Sequence, residues 1–331
     1  MQVFSDDDVV PEDFYGSVVA LGNFDGVHRG HQAVLGQAKA IAQTQDCALG
    51  ALTFVPHPQL FFKPTSTMFM LSPLPRKLAL LEAFGMEFAG LLGFDRALAD
   101  LTAEAFVERI LVERWRVRHV VVGYNFFFGK GRSGNPQTLT ELGQERDIDV
   151  TIVEPESDEG EVFSSSSVRD LLRTGNVREA ADALGAWWAV SGVVEHGAQR
   201  GTNMGYPTVN LMLEAGQALH HGIYAARVYV DGKRYDGAAY NGRRPTFDNG
   251  VAKLEVFLFE FSGDLYGSEI AVELVEFIRP DEAFETMEDL VRQMDLDCAK
   301  AREILGRINA DDPMLRYPIG SALAARLDKS G

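Results

Sequence analysis

Two histidines held apart by an arginine and a glycine, His28-Arg29-Gly30-His31, follow the string Gly22-Asn23-Phe24-Asp25-Gly26-Val27. Imidazoles can donate hydrogen bonds to phosphoryl oxygens as charge builds in a transition state, and a glycine between the two donors permits close approach of a nucleotide. The alternatives are a metal pair or two exposed histidines at a turn, but such a polar cluster just after a buried apolar run has no packing reason to exist. A second constellation is Ser164-Ser165-Ser166-Ser167-Val168-Arg169. Its hydroxyls can cap a helix and donate to phosphate, with Arg169 one turn further in; taken alone, it also reads as a flexible loop. A third candidate is Glu255 inside the apolar run from Leu254 to Phe261. It is either a general base or an outward-facing strand carboxylate.

These residues need elements to position them. From Ser17 to about Asn176, short apolar runs alternate with amphipathic stretches. Strands are expected at Val18 to Leu21, Leu49 to Phe54, Glu87 to Gly93, His119 to Gly123 and Asp149 to Val153. Helical segments are expected at Gly30 to Gln45, Arg76 to Phe84 and Thr102 to Glu113, which implies an α/β domain with a parallel sheet covered on both faces. The first histidine cluster then falls at the carboxyl end of a strand and the start of a helix, where free N–H groups meet an anion. After a closing helix at Val177 to Leu184 the texture changes. Ala189 to Val194, Ile223 to Val230, Tyr235 to Tyr240, Leu254 to Phe261 and Ile270 to Phe277 follow one another as strands. Turn signals at Asp231-Gly232, Asn249-Gly250 and Ser262-Gly263-Asp264 separate them, the pattern of an antiparallel sheet or small β-barrel. An amphipathic helix from about Phe284 to Arg307 is expected to end the chain.

The 331 residues suffice for roughly two domains. The composition, 46% apolar and 24% charged, is that of an ordinary soluble protein, with no run long enough to span a membrane. Acidic residues number 48 against 31 basic ones, a formal charge of −17 that is the wrong sign for a broad nucleic-acid surface. No basic n-region precedes an apolar stretch near the N-terminus, so a cytoplasmic location is expected. Cys47 and Cys298 lie far apart without metal-ligand spacing and are expected to be reduced and partly buried thiols.

The extended string from Gly22 to His31 resembles the bacterial bifunctional riboflavin kinase/FMN adenylyltransferase (FAD synthetase) family. Phe54-Val55-Pro56-His57-Pro58, Val121-Val122-Gly123-Tyr124-Asn125-Phe126 and Phe163 to Arg169 resemble further motifs of the same family in the same order. In the second half, Gly201-Thr202-Asn203-Met204-Gly205-Tyr206-Pro207-Thr208-Val209-Asn210 is similar to its kinase signature, and segments at Gly222, Gly242, Leu254 and Arg279 extend the match. The resemblance implies a Rossmann-like nucleotidyltransferase domain over residues 1–184 and a riboflavin kinase-like antiparallel barrel with a terminal helix over 185–331. It implies ATP-dependent phosphorylation of riboflavin to FMN, releasing ADP, then adenylylation of FMN to FAD with release of pyrophosphate, both with Mg²⁺.

Carried over residue by residue, the resemblance gives catalytic roles to His28, His31, Arg169 and Glu255. ATP would meet Gly22, Asn23, Phe24, Asp25, Gly30, Ser164 and Ser165 in the transferase, and flavin would meet Phe54, His57, Pro58 and Asn125. Kinase ATP would meet Gly201, Gly205, Pro207, Thr208 and Asn210, the last two also holding the metal, with Tyr224 and Arg279 on its flavin side. Phosphate donors without a base suit the first site, because an FMN phosphate with a second pKa of about 6 is already dianionic. A neutral alcohol, near water's pKa of about 15.7, suits a base such as Glu255. Thr202 stands where many relatives have Lys or Arg, and Phe257 where histidine is common. Those departures leave an adenylyltransferase with an impaired kinase as the first alternative. A non-catalytic flavin or nucleotide sensor is the second, and any self-association is expected to be weak.

Overall fold

The structure is a computed structural model that describes residues 1–65, 68–158, 161–195, 208–213, 218–242 and 253–327. The chain divides into two compact units, Met1–Ser165 and Ser166–Gly331.

The first unit is built on six parallel strands: β1 (Gln2–Phe4), β2 (Val18–Leu21), β3 (Leu49–Val55), β4 (Phe88–Gly93), β5 (His119–Gly123) and β6 (Asp149–Val153). They lie in the order β1-β4-β3-β2-β5-β6. Every residue of β2 is buried, as a central strand covered on both faces requires. The chain moves to one side of β2 for β3 and later returns to its other side for β5, so the carboxyl end of β2 is the switch point at which such sheets bind ligands. Helices α1 (Arg29–Gln45), α2 (Pro58–Phe62) and α3 (Leu74–Phe84) follow β2, β3 and the next loop. A further helix, Ala103–Phe106, is capped by Thr102 and runs on in wider turns over Val107–Arg114. The core centres on Trp115 stacked on Phe88 at 5.5 Å, with Phe4 and Phe14 at its edge.

Two elements of this unit escape the apolar pattern. β1 is three residues long with one buried side chain, Phe4, too short for a periodic signal. The helix Pro136–Gln144 is short and mostly polar, although Asn135 caps it by accepting from the Thr138 N–H at 2.9 Å. A hairpin of β7 (Ser157–Asp158) and β8 (Glu161–Val162) precedes the serine run.

The helix Ser165–Arg173 starts on the last residue of the first unit, and the second unit continues with the helix Val177–Leu184 and closes a barrel. Its strands are β9 (Ala189–Glu195), β10 (Thr208–Met212), β11 (Gly222–Val230), β12 (Lys233–Gly242), β13 (Lys253–Leu258) and β14 (Glu269–Arg279). All neighbours pair antiparallel in the order β10-β13-β12-β11-β14-β9. Five of these strands are legible in the sequence. The sixth, β10, carries Thr208 and Asn210 and is too polar to read as a strand, yet it closes the barrel by bridging β9 and β13. The run expected to extend to Phe261 stops at Leu258, and Glu260 turns the chain with φ 56°. Along β13, Leu254, Val256 and Leu258 are buried while Lys253, Glu255 and Phe257 are not, so alternate residues fill the barrel and coat its outside.

The long helix runs over Met287–Ala310, its first turn capped by Thr286, and packs Ala301, Ile304, Leu305 and Ile308 against the barrel. It does not end the chain, contrary to expectation: Pro318–Leu327 forms another helix. Arg227 on β11, almost wholly buried, donates to Asn309 and Asp312 and so ties the helix end to the barrel. Cys47 and Cys298 are free and partly buried.

Candidate active site

In the first unit, the loop from Gly22 to His28 leaves β2 through three residues with positive φ: Phe24 at 48°, Gly26 at 82° and Val27 at 45°. Two of these are not glycine, so the conformation carries strain and needs outside support. The Phe24 and Val27 side chains are buried. The carbonyl groups of alternate residues are each held by a side chain from elsewhere. Lys77 Nζ donates to the Asn23 carbonyl at 2.7 Å and Thr53 Oγ1 donates to it at 3.1 Å. Ser165 Oγ donates to the Asp25 carbonyl at 2.9 Å, and Gln32 Nε2 to that of Val27 at 2.8 Å.

The buried Asp25 carboxylate accepts from the Leu71 and Ser72 N–H groups at 3.2 and 3.0 Å and from the Ser72 hydroxyl. That hydroxyl accepts from the Gly26 N–H at 2.7 Å. Asp25 therefore pins the start of α3 to the loop. Ser165 brings the serine run against it. Gly30 lies so close to this run that an added Cβ would sit 3.1 Å from the Phe163 carbonyl and 3.2 Å from the His28 ring. Arg29 lies over the Phe163 ring at 4.3 Å and reaches Glu156 at 3.4 Å.

His28 is the N-cap of α1, and its Nδ1 accepts from the His31 N–H at 3.3 Å. An accepting Nδ1 carries no proton, so the neutral ring has its proton on Nε2 and offers it as a donor. The two imidazoles stack at 3.7 Å between centroids. Burial holds the His31 pKa well below the ordinary histidine range, and His28, Lys77 and His57 push in the same direction. Lys77, only 2% exposed, has its pKa brought down from 10.5 to about 8 by burial, with Asp25 opposing.

The expected flavin residues sit at the ends of the strands flanking β2. Phe54 ends β3 nearly buried, while His57 caps α2 by accepting from the Gln59 N–H, with Pro58 in its first turn. Asn125 lies in the exposed turn after β5. Sequence reasoning missed Phe61 and Phe62. They pack on Phe94, itself edge-on to Phe54, and Phe62 is 61% exposed. A solvent-facing aromatic wall is a platform for a flat apolar ligand. Their placement after His57-Pro58 was the available signal, whereas Lys77, Thr53 and Gln32 carry none outside the fold. Arg169 lies on the helix Ser165–Arg173, one turn from Ser165, and is largely buried.

In the second unit, Asn210 on β10, Glu255 on β13 and Tyr240 on β12 form one cross-strand row, each directly opposite the next. Thr208 lies two residues from Asn210, opposite Phe257 and on the same outward face. The structure thus joins Thr208, Asn210 and Glu255. Gly201, Gly205 and Pro207 fall outside the described residues. Arg279 continues the same row three strands from Glu255, through Ile223. It is clamped by Asp297, with Nε to Oδ1 at 2.8 Å and Nη2 to Oδ2 at 2.7 Å, which ties β14 to the long helix. Tyr224 is buried in the barrel and donates to the His220 carbonyl at 2.6 Å. Neither of these two is brought beside Glu255.

A glycine-rich turn with imidazole donors at the switch point of a parallel sheet defines a nucleotide-binding α/β domain, here in one chain with a β-barrel that carries its own oxygen-donor row. Family models meet both: FAD synthetase over residues 10–167 and riboflavin kinase over residues 184–305. The bifunctional riboflavin kinase/FMN adenylyltransferase of Escherichia coli K12 is 35% identical over 88% of this chain and 93% of its own. That of Bacillus subtilis 168 is 32% identical over 88% and 94%. The chain belongs to this bifunctional family. A solved structure from Streptococcus pneumoniae, described as a macrolide-efflux protein, covers 90% of this chain and 97% of its own at 30% identity and a TM-score of 0.81. Among the described residues, no helix is long and apolar enough to cross a membrane.

Proposed function

We propose that the chain makes FAD in two ATP-dependent steps, phosphorylating riboflavin to FMN on the barrel and adenylylating FMN on the parallel sheet. The observation that carries this reading is the presence of two chemically different constellations in separate units. One offers imidazole donors at the head of α1, and the other offers a carboxylate opposite an asparagine.

In the transferase, an FMN phosphate oxygen attacks the α-phosphorus of ATP and pyrophosphate leaves. The nucleophile is already dianionic, so the site need only bind and stabilise charge. His28 Nε2–H donates to the α-phosphoryl oxygens, with His31 stacked behind it and Arg169 contributing a cation to the nucleotide. Gly22, Asn23, Phe24, Asp25, Gly30, Ser164 and Ser165 shape the ATP side. Asp25 does so through the loop that it pins. Phe54, His57, Pro58 and Asn125 form the flavin side, with Phe62 as its stacking face.

In the kinase, Glu255 accepts the proton of the riboflavin hydroxyl as its oxygen attacks the γ-phosphorus and ADP leaves. Thr208 Oγ1 and Asn210 Oδ1 are hard oxygen donors on one face, which fits Mg²⁺, an ion held by few protein oxygens together with substrate phosphates. Bound there, Mg²⁺ would neutralise polyphosphate charge. Gly201, Gly205 and Pro207 would line the same nucleotide, while Tyr224 and Arg279 would support the flavin side from the barrel and its long helix. The functional halves are 1–184 and 185–331, the substrates point to the cytoplasm, and self-association is weak.

The test is chromatography of products from riboflavin, ATP and Mg²⁺, and separately from FMN, ATP and Mg²⁺. FMN and FAD are expected from the first mixture and FAD from the second. FAD only from supplied FMN would remove the kinase half of the reading.

A further inference from the structure

Four side chains hold the carbonyls of the Gly22–His28 loop, and one of the four is an ammonium. Gln32 and Ser165 do the same work on Val27 and Asp25 without a charge. At Asn23, where the Thr53 hydroxyl already donates at 3.1 Å, the fold adds Lys77, 2% exposed, with Nζ at 2.7 Å from the carbonyl and 3.3 Å from Thr53 Oγ1. Burying an ammonium is costly where a neutral donor would complete the same hydrogen bond, so its charge needs a separate physical reason. The charged group that acts on it is Asp25 on the loop, and it acts in turn on His31 at the head of α1, on which His28 and, from the head of α2, His57 act as well. The histidine rings stack at 3.7 Å, a geometry that two imidazolium ions would oppose.

We infer that Lys77 is a positioning residue of the adenylyl-transfer site: its ammonium braces the Asn23 carbonyl and its field holds the stacked His28–His31 pair in the neutral form. Neutrality preserves the tautomer in which His28 Nδ1 accepts from the His31 N–H and Nε2 carries the donor proton. A protonated His28 would lose that accepting nitrogen, and with it the cap that orients its ring. The inference rests on the transferase reading of this site. The downward pull of Lys77 on His31 is consistent with it.

The test uses the full chain with Lys77→Met, which removes both donor and charge, and Lys77→Gln, which keeps a donor. Histidine titration is followed by ¹⁵N NMR, and FAD formation from FMN is followed at about pH 6 and about pH 8, either side of the ordinary histidine range. Both variants are expected to move the His31 midpoint to higher pH. Lys77→Met should lower kcat for FAD formation by about tenfold or more at both pH values, since a displaced loop misaligns the reacting groups. Lys77→Gln should be impaired at the lower pH and recover at the higher one. FMN formation from riboflavin should stay within about twofold in both, and the calorimetric transition of the first unit should persist, reporting an intact fold. An unchanged His31 midpoint, or a loss in Lys77→Gln that is the same at both pH values, would overturn the inference. Failure of the wild-type chain to make FAD from FMN would instead overturn the transferase reading, and the NMR titration would still decide on Lys77.

Discussion

His28 and Glu255 carry separable chemistry, because one offers a proton to a phosphoryl oxygen and the other takes one from an alcohol. Replacing His28 by Ala should lower FAD formation from FMN by at least about a hundredfold, the scale for a transition-state donor, and leave FMN formation unchanged. Glu255→Ala should do the reverse, both being read from product chromatography. Loss of both activities in either folded variant would contradict independent sites. Phe62 faces solvent on an aromatic wall, so Phe62→Ala should raise KM for FMN several-fold with little change in stability, measured by steady-state kinetics and thermal melting. Lys77 makes a pH prediction of opposite sense to the usual salt bridge. Its folded pKa lies near 8 against an ordinary 10.5, so the folded state binds fewer protons than the unfolded one in that window. Stability should therefore rise as pH increases from about 8 to 10.5. Urea midpoints across that range should show the gain in the wild type and its loss in Lys77→Met.

At the scale of elements, the loop between β2 and α1 is held by contacts that converge from β3, α3, α1 and the serine run. Gly30 lies at one of these close approaches, with the Phe163 carbonyl 3.1 Å from where a Cβ would lie. Gly30→Ala should push the serine run away and reduce FAD formation well beyond its cost in stability, which overpacking puts at about 1–3 kcal/mol. Kinetics beside calorimetry would check the disproportion. The central strands and the head of α1 were legible because their apolar runs are continuous or periodic. β10 was not, since Thr208 and Asn210 interrupt the apolar alternation on the strand that completes the barrel. The helix Pro318–Leu327 was not seen either, because the long helix preceding it already read as an end.

At the scale of the molecule, the charge of −17 and the binding of phosphate substrates coexist because positive groups at the site are local and buried: Lys77, 2% exposed, braces the loop that carries the imidazole donors and the N-terminus of α1. Two compact units should unfold as two calorimetric transitions, and His28→Ala should leave both in place. The sequence by itself determined the order of an α/β half and a β half, the histidine and serine clusters and the acidic candidate on β13. Those signals are local, residing in apolar period and in a few consecutive residues. Only the tertiary structure decided that Glu255 faces Asn210 across a ladder, that Arg279 is tied to Asp297, and that a buried lysine 46 residues beyond His31 braces the loop that carries it. Pairing, burial and the electrostatic field depend on distances in space, and a chain folded through parallel crossovers and a closed barrel brings together residues that no spacing in the sequence relates.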